Sequence, residues 1–398
     1  MTDHLNPLQS LKEGHWFKLI CGASFQHLPA VRSLTLAYTL AGADCIDVAA
    51  DPAVIAAVRE ALQVAAELAQ DAQARGFGKK GKLPFLMVSL NDGEDPHFRK
   101  AKFNSTECPP NCHRPCEKIC PAQAIEFSNK PELFSGVISE KCYGCGRCIP
   151  ICPYEKIYTN SYVIKPEAIA PLILSTGVDA IEIHTQIGRL TEFQRLWQAI
   201  SPWVEQLQLV AISCPDGEGM IDYLHTLYDA IATHKFTLIW QTDGRPMSGD
   251  IGDGTTTAAV KLGQKVLAAN LPGYVQLAGG TNSYTVAKLK AMGLLRGWGD
   301  GAMGNSGPPR PQGVGIRGKW GEDFTPPPHH PITPSHISGV AYGSYARVLL
   351  SPILEELEVR EVNDTSVKTT VRLEDEPELL WQAVGLAHSL VSQLKSQQ

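Results

Sequence analysis

Eight of the eleven cysteines in this 398-residue chain lie between Cys108 and Cys152, in two groups of four, and each group ends in Cys-Pro. The second group, Cys142, Cys145, Cys148 and Cys152, has the spacing C-x2-C-x2-C-x3-C-P. Thiolates two residues apart wrap a tight loop around three corners of an iron–sulfur cubane, and the fourth corner comes from elsewhere in the chain. Gly144 and Gly146 let the backbone approach the inorganic sulfides, where amide hydrogens stabilise an anionic cluster.

The first group, Cys108, Cys112, Cys116 and Cys120, is spaced four apart. A four-residue repeat also fits a helical stripe, but Pro109, Pro110 and Pro115 argue against a helix there. The segment CPAQAIEF after the first group resembles CPYEKIYT after the second, as the two halves of a bacterial ferredoxin resemble each other. In such ferredoxins the fourth cysteine of each run ligates the other cluster. The expected sets are therefore Cys108, Cys112, Cys116 with Cys152, and Cys142, Cys145, Cys148 with Cys120. Both clusters are expected to be [4Fe-4S], with a labile or three-iron version as the alternative on the wider loops. Zinc is the competing ligand, but zinc sites keep paired C-x2-C knuckles and do not repeat Cys-Pro. Disulfide frameworks belong to small secreted chains, which this is not.

Composition narrows the class. A hydrophobic content of 43% implies a globular core, and a net charge of −6 with no basic block argues against nucleic acid as a partner. No apolar run is long enough to span a bilayer. The N-terminus has no apolar leader, so a cytoplasmic location is expected, which suits reduced thiols.

Around the cysteines, apolar runs alternate with helical patterns. Strands are expected at Phe17–Ser24, Cys45–Asp51, Pro84–Asn91, Val178–Thr185, Leu207–Ser213, Phe236–Thr242, Gly273–Gly279 and His336–Gly343. Helices are expected between them, including Leu28–Leu40, Pro52–Ala74 and Thr281–Met292. Eight strand-then-helix units predict an α/β fold, a (β/α)8 TIM-like barrel with an inserted ferredoxin-like domain. An open, doubly wound sheet competes, weakened by the lack of a G-x-G-x-x-G turn after an early strand. The expected divisions are residues 1–91 for three barrel units, 92–162 for the insertion, 163–358 for the rest of the barrel, and 359–398 for an extension. That extension should hold a short strand at Thr369–Leu373 and an amphipathic helix at Glu376–Leu394, packed outside the barrel. Residues 1–16 read as a polar lead-in, and Gly297–Ser335 as a long surface loop or a docking segment.

An insertion after the third strand hangs over the face where barrels of this kind bind ligands. The strand ends there present Asp51, Asn91, His184, Asp216, Asp243 and Arg245. The last two turns carry Gly279-Gly280-Thr281 and Gly343-Ser344, a candidate site for the phosphate of FMN or a similar ligand. Tight turns and rim residues are the plainer explanation of each. Cys21, Cys45 and Cys214 read as buried small hydrophobes.

Taken together, KLICGAS, LAGADCIDVAADPAVI, the paired cysteine groups, GVDAIEIHTQIGR and YVQLAGGTNSYT resemble the cyanobacterial light-dependent period proteins over essentially the whole chain. The resemblance implies an iron–sulfur protein of circadian clock input that reads the light-dependent redox state and conveys it to clock-associated proteins and sensor kinases. The eight cluster cysteines carry over, and no catalytic residue does. On this reading the clusters exchange electrons with a pool such as ferredoxin or quinone. The competing functions are a flavin-dependent oxidoreductase wired by the clusters, and a plain electron carrier. The near balance of ten Lys/Arg and nine Asp/Glu over Asp92–Lys165 weakens the carrier, which typically docks through an acidic face.

Overall fold

The computed structural model describes residues 7–22, 28–78, 83–93, 99–120, 123–128, 134–139, 141–142, 148–161, 166–244, 254–296, 336–363 and 371–395. Helix α1 (Pro7–Glu13) leads into β1 (Trp16–Gly22), α2 (Leu28–Ala41) and β2 (Cys45–Ala49). Next come α3 (Pro52–Glu67), α4 (Ala69–Ala74) and β3 (Phe85–Asn91). The insertion follows, with β4 (Arg99–Lys102), α5 (Pro115–Ile119), β5 (Ile125–Glu126), β6 (Gly136–Val137), α6 (Cys148–Ile151) and β7 (Tyr158–Ser161). Helix α7 (Pro166–Leu174) leads back to β8 (Ala180–His184), α8 (Leu190–Ile200), β9 (Leu209–Ser213) and α9 (Met220–Ile231). The chain closes with β10 (Thr237–Asp243), α10 (Thr256–Ala268), β11 (Tyr274–Ala278), α11 (Thr285–Ala291), β12 (Gly339–Tyr342), α12 (Ser344–Asn363) and α13 (Pro377–Lys395).

Eight parallel strands close into a barrel in the order β1-β2-β3-β8-β9-β10-β11-β12, with β12 back against β1. Closure rules out the open sheet. Outward-facing side chains such as Phe17, Ile46, Ile181 and Val275 are buried under the helices. Phe17 stacks between Tyr38 of α2 and Tyr342 of β12 at 5.8 and 5.1 Å. Burying one such ring contributes roughly 1.5–3 kcal/mol. Gly339 is required where β12 meets β1, since a Cβ there would lie 2.5 Å from the Trp16 side chain.

The lumen is layered. At the N-terminal ends of the strands Trp16, Cys45, Met87, Ala180, Leu209 and Ile239 form an apolar plug. Leu11 of α1 is buried in the same cluster, so the expected polar lead-in contains a helix that seals the barrel floor. Above the plug lies a polar layer. Lys18 of β1 reaches Glu182 of β8 and Gln241 of β10, strands that are not its neighbours in the sheet, so these contacts cross the lumen.

The insertion leaves the barrel after β3 and is pinned by two antiparallel pairs, β4 with β7 and β5 with β6. At the other end of the chain, α13 packs on α2 and α12 outside the barrel. Phe77 stacks on Trp381 at 6.3 Å, and Lys395 Nζ reaches Asp44 Oδ2 at 2.5 Å. The strand expected at Thr369–Leu373 is not formed in its described part: Leu373–Asp375 is a 3-10 turn. The Asp375 carboxylate accepts from Arg372 N at 3.2 Å, which closes the turn at its first residue. The helix expected over Pro52–Ala74 breaks at Leu68, and the one expected from Thr281 begins at Thr285. Gly297–Ser335 lies outside the described residues.

Candidate metal centre and barrel mouth

Cys108, Cys112 and Cys116 line one small pocket together with Cys152, which reaches it from the far end of the insertion. Phe103 and Phe127 wall the pocket, their ring centroids 5.5 Å apart. Cys142 and Cys148 are buried in the same small core, and Cys120 packs against it. Cys145, with Gly144 and Gly146, lies outside the described residues. None of the ten described cysteines forms a disulfide. The four-residue spacing is not a helical stripe; only Cys116 of its set lies in α5, which begins at Pro115, where a proline is tolerated.

The described residues after the two Cys-Pro cysteines share a left-handed position and an amide-to-sulfur contact. After Cys120 the chain turns through Gln123 (φ 47°), and Ala124 N donates to Cys120 Sγ at 3.2 Å. After Cys152 it turns through Glu155 (φ 52°), and Lys156 N donates to Cys152 Sγ at 3.4 Å. Arg114 (φ 54°) donates from its amide to Cys112 Sγ at 3.4 Å, and Ala101 N donates to Cys142 Sγ at 3.4 Å. Each left-handed non-glycine residue costs on the order of 1 kcal/mol, and such strain persists where the surroundings over-determine it. Here it aims amide hydrogens at sulfur, the contact that stabilises a thiolate bound to iron.

Electrostatics point the same way. Burial pushes the Cys116 thiol up to about 11, and the nearby charges of Cys152, Cys108 and Cys112 add to the effect. Burial first, then Cys112 and Cys152, raises Cys108 as well. Thiolates gathered this closely repel one another unless a cation neutralises them, and the donor set fits an iron–sulfur cluster.

The barrel mouth holds the second constellation. Lys18 is fully buried, ion-paired with Glu182 and with Asp47 Oδ2 at 2.9 Å, and it donates to Gln241 Oε1 at 2.9 Å. Burial alone would depress the ammonium, but Asp47 and Glu182 outweigh it and raise Lys18 above its ordinary value. Burial pushes Asp47 up to about 6 against the pull of Lys18, and Glu182 adds to the rise. Above this layer His184 Nδ1 shares a 2.7 Å hydrogen bond with Ser213 Oγ, and its Nε2 lies 3.4 Å from Glu182 Oε1. Gln241 Nε2 donates to Glu182 Oε1 at 2.6 Å and reaches Asp243 Oδ1 at 3.3 Å.

The other strand-end residues serve different purposes. Asp51 is buried at the end of β2 and caps α3 by accepting from Ala53 N at 2.8 Å. It also pairs with Lys100 of β4 at 3.4 Å, which ties the insertion to the barrel. Asn91 ends β3, Asp216 pairs with Lys265 at 2.6 Å on the exposed surface, and Arg245 lies outside the described residues. The glycine turns are built for packing. Gly279 (φ 62°) and Gly280 (φ 92°) are left-handed, and a Cβ on Gly280 would meet Thr255 O at 2.9 Å. Thr281 Oγ1 donates to Ala341 O at 2.6 Å, and Ser344 Oγ accepts from Arg347 at 3.0 Å, while Gly343 sits beside Arg347. Both hydroxyls expected to meet a phosphate therefore have partners within the protein. Cys21, Cys45 and Cys214 are buried.

A closed parallel barrel carrying an iron–sulfur-cluster-binding insertion after its third strand is the class of protein that fold and cysteine geometry define. Residues 108–163 match the LdpA Fe-S cluster-binding domain, and residues 172–393 match the Light dependent period A C-terminal domain. Light dependent period A of Synechococcus elongatus is 46% identical over 389 residues, covering 98% of this chain and 94% of that protein. The chain belongs to the light dependent period A family.

Among solved structures, tryptophan synthase from M. tuberculosis in an open form with BRD0059 bound aligns at TM-score 0.36 and 12% identity over 97% of both chains. The same enzyme in space group F222 aligns at TM-score 0.36 and 13% identity over 96% of both. Likeness at that level carries no argument, and the fold rests on the closed strand order itself. Among the described residues no helix is long and apolar enough to cross a membrane.

Proposed function

We propose that the protein is a redox-sensing regulator with two [4Fe-4S] clusters, one on Cys108, Cys112, Cys116 and Cys152, the other on Cys142, Cys145, Cys148 and Cys120. The observation that carries the reading is the convergence of Cys152 on the pocket lined by Cys108, Cys112 and Cys116, with amide hydrogens aimed at the sulfurs. Bound there, a cluster supplies one-electron exchange, and with it a unit change in the charge of the insertion.

The chain's own residues convey that charge. Ala101 donates to Cys142 Sγ, and its neighbour Lys100 holds Ser139 O at 2.6 Å and Asp51 of the barrel at 3.4 Å. One charge acting over roughly 10 Å at an effective dielectric of about 20 changes an interaction by about 1.7 kcal/mol. A bias of that size shifts a docking equilibrium more than tenfold. Family kinship supports the biological setting: the electrons come from a light-dependent pool such as ferredoxin or quinone. The partners are clock-associated proteins and sensor kinases, in the cytoplasm.

Anaerobic purification with iron and sulfide counts, flavin analysis and EPR on one sample tests the proposal. About eight iron per chain and two reducible signals are expected for two cubanes. Cys112→Ser should remove one signal and Cys145→Ser the other. Colourless protein that binds only zinc, or variants that lose neither signal, would overturn it. Partner affinity is then compared in oxidised and dithionite-reduced protein, and equal affinities would reject the regulatory role.

A further inference from the structure

We propose that the barrel mouth is a binding site for a divalent transition-metal ion, ligated by Glu182, His184 and Asp243 and separate from the cysteine centres. One donor atom from each of the three lies within 4.8 Å of the others. Glu182 and His184 are two residues apart on β8, which puts both side chains on the luminal face, and Asp243 ends β10. All three stand on strands, which hold geometry better than loops do.

The surrounding residues hold the donors as a second layer of ligation does. Ser213, from the strand between β8 and β10, fixes the His184 ring through Nδ1 at 2.7 Å. Its other nitrogen, Nε2, faces Glu182 Oε1 at 3.4 Å, so the two donor atoms stand side by side. Gln241 Nε2 holds Glu182 Oε1 at 2.6 Å and Asp243 Oδ1 at 3.3 Å, orienting both carboxylates at once. Lys18 does not take the place of the ion. Its ammonium is engaged by Asp47 and by the other oxygen of Glu182, Oε2, while Oε1 lies on the side of Gln241 and His184.

Charge completes the case. Two buried carboxylates, Asp47 and Glu182, share the one ammonium of Lys18, and the half-buried Asp243 adds a third negative charge beside Gln241. An excess of carboxylates around a buried Glu182 is disfavoured, and a doubly charged ion removes it. One imidazole nitrogen with two carboxylate oxygens suits the manganese-to-zinc series better than magnesium or calcium, which take oxygen alone. Three protein ligands leave coordination positions open toward the mouth for water or an oxygen-bearing ligand.

Manganese is the probe, because the six-line EPR spectrum of the free aquo ion counts what remains unbound. The full chain is purified anaerobically with its iron content measured, stripped of loosely held metal, and titrated with Mn²⁺. Wild type should bind one equivalent, displaced by Zn²⁺ and not by the same excess of Mg²⁺. His184→Ala and Asp243→Asn should each weaken binding tenfold or more with iron content unchanged, while Asp216→Asn on the exposed rim changes nothing. Asp243→Asn is isosteric and retains the test if His184→Ala fails to fold. No saturable Mn²⁺ binding by wild type would overturn the proposal. So would equal affinity across wild type and both ligand variants, or displacement by Mg²⁺ as effective as by Zn²⁺.

Discussion

Replacing Lys18 with methionine probes the polar layer on which the barrel mouth rests. Lys18 is fully buried, pairs with Glu182 and with Asp47 at 2.9 Å, donates to Gln241 Oε1 at 2.9 Å and touches Met87 Sδ at 3.2 Å. Methionine fills similar space beside Met87 but removes the ammonium, so two carboxylates remain in the lumen without a countercharge. Breaking a buried ion pair by removing one partner costs about 3–5 kcal/mol, because an uncompensated charge is left behind. One ammonium here serves two carboxylates, so at pH 8 the loss should fall in the upper half of that range.

The pH dependence is the sharper test. Burial already pushes Asp47 up to about 6 in the presence of Lys18, with Glu182 adding to the rise, and removing Lys18 raises it further. A carboxyl whose folded pKa exceeds its unfolded value binds its proton more tightly in the native state. It therefore favours folding below the unfolded pKa and loses that contribution as pH rises through the folded one. The Lys18→Met variant should thus be penalised less at pH 5.5 than at pH 8. Anaerobic urea unfolding at both pH values, followed through the buried Trp16 and Trp240, measures this directly. Lys18→Met with Glu182→Gln should recover at least about 1 kcal/mol of the loss, since the two sites share one network. A penalty below about 1 kcal/mol at pH 8, or an equal penalty at both pH values, would refute the reasoning.

Three further outcomes are expected. Arg32 grips Glu374 through two hydrogen bonds of 2.7 and 2.5 Å, and despite burial those bonds hold the Glu374 carboxyl below its usual range. Its contribution is present above the unfolded pKa and fades as pH falls through the folded one, so Arg32→Met should speed hydrogen exchange in α13 at pH 7 and match wild type in acid. Gly244→Ala would place a Cβ 2.1 Å from Ala259 N, forcing α10 away from the end of β10. A loss of about 1–3 kcal/mol is expected in urea titration, with weaker Mn²⁺ binding because Asp243 adjoins the displaced turn. Asp51→Asn keeps an acceptor for Ala53 N but removes the countercharge of Lys100. Loss of one negative charge near the insertion should move a cluster potential upward by a few tens of mV in an EPR redox titration, and an unmoved potential would show the two parts to be electrically separate.

Much of the fold was legible because barrel strands and helices announce themselves in order. The convergence of Cys152 on the first cysteine group was legible from a repeat: CPAQAIEF and CPYEKIYT each place a left-handed residue, Gln123 or Glu155, three positions after the cysteine, with the same amide-to-sulfur contact. The lumen was not read, although its signal was present. Lys18, Asp47, Glu182 and Gln241 each sit within an otherwise apolar strand, in FKLI, CIDV, AIEI and IWQT. In an ordinary half-exposed sheet such polar positions face water. In a barrel wrapped by helices the outer face is apolar, so a polar residue in the alternation must point into the lumen. The barrel expected from the eight units permits that inference, but which lumen residues meet depends on strand register, which no local pattern states. The helix at Pro7–Glu13 was missed for a related reason. Only two of its residues, Pro7 and Leu11, are buried, and Leu11 gains meaning only from the floor it covers.

The tie between insertion and barrel has a form suited to reading charge. Lys100 and Asp51 pair at 3.4 Å with only 13% and 1% of their side chains exposed, so solvent screens them little. Burial raises the Asp51 carboxyl above its ordinary value, and Lys100 pulls it back, so its protonation depends on the charge beside it. An apolar interface holds with the same strength whether or not an electron arrives, because its free energy follows buried area. An ion pair does not. On the proposed reading, an added electron on the insertion draws Lys100 toward its own side, where it already donates to Ser139 O at 2.6 Å, and repels Asp51. Four residues before Asp51 on the same segment stands Asp47, one of the two carboxylates that share Lys18 in the lumen. A change of charge at the cysteine centre and a change of occupancy at the mouth therefore act on opposite ends of one short stretch, Asp47 to Asp51. If either alters the other, the effect must be reciprocal: metal binding at the mouth shifts the cluster potential by the same free energy that reduction shifts metal affinity.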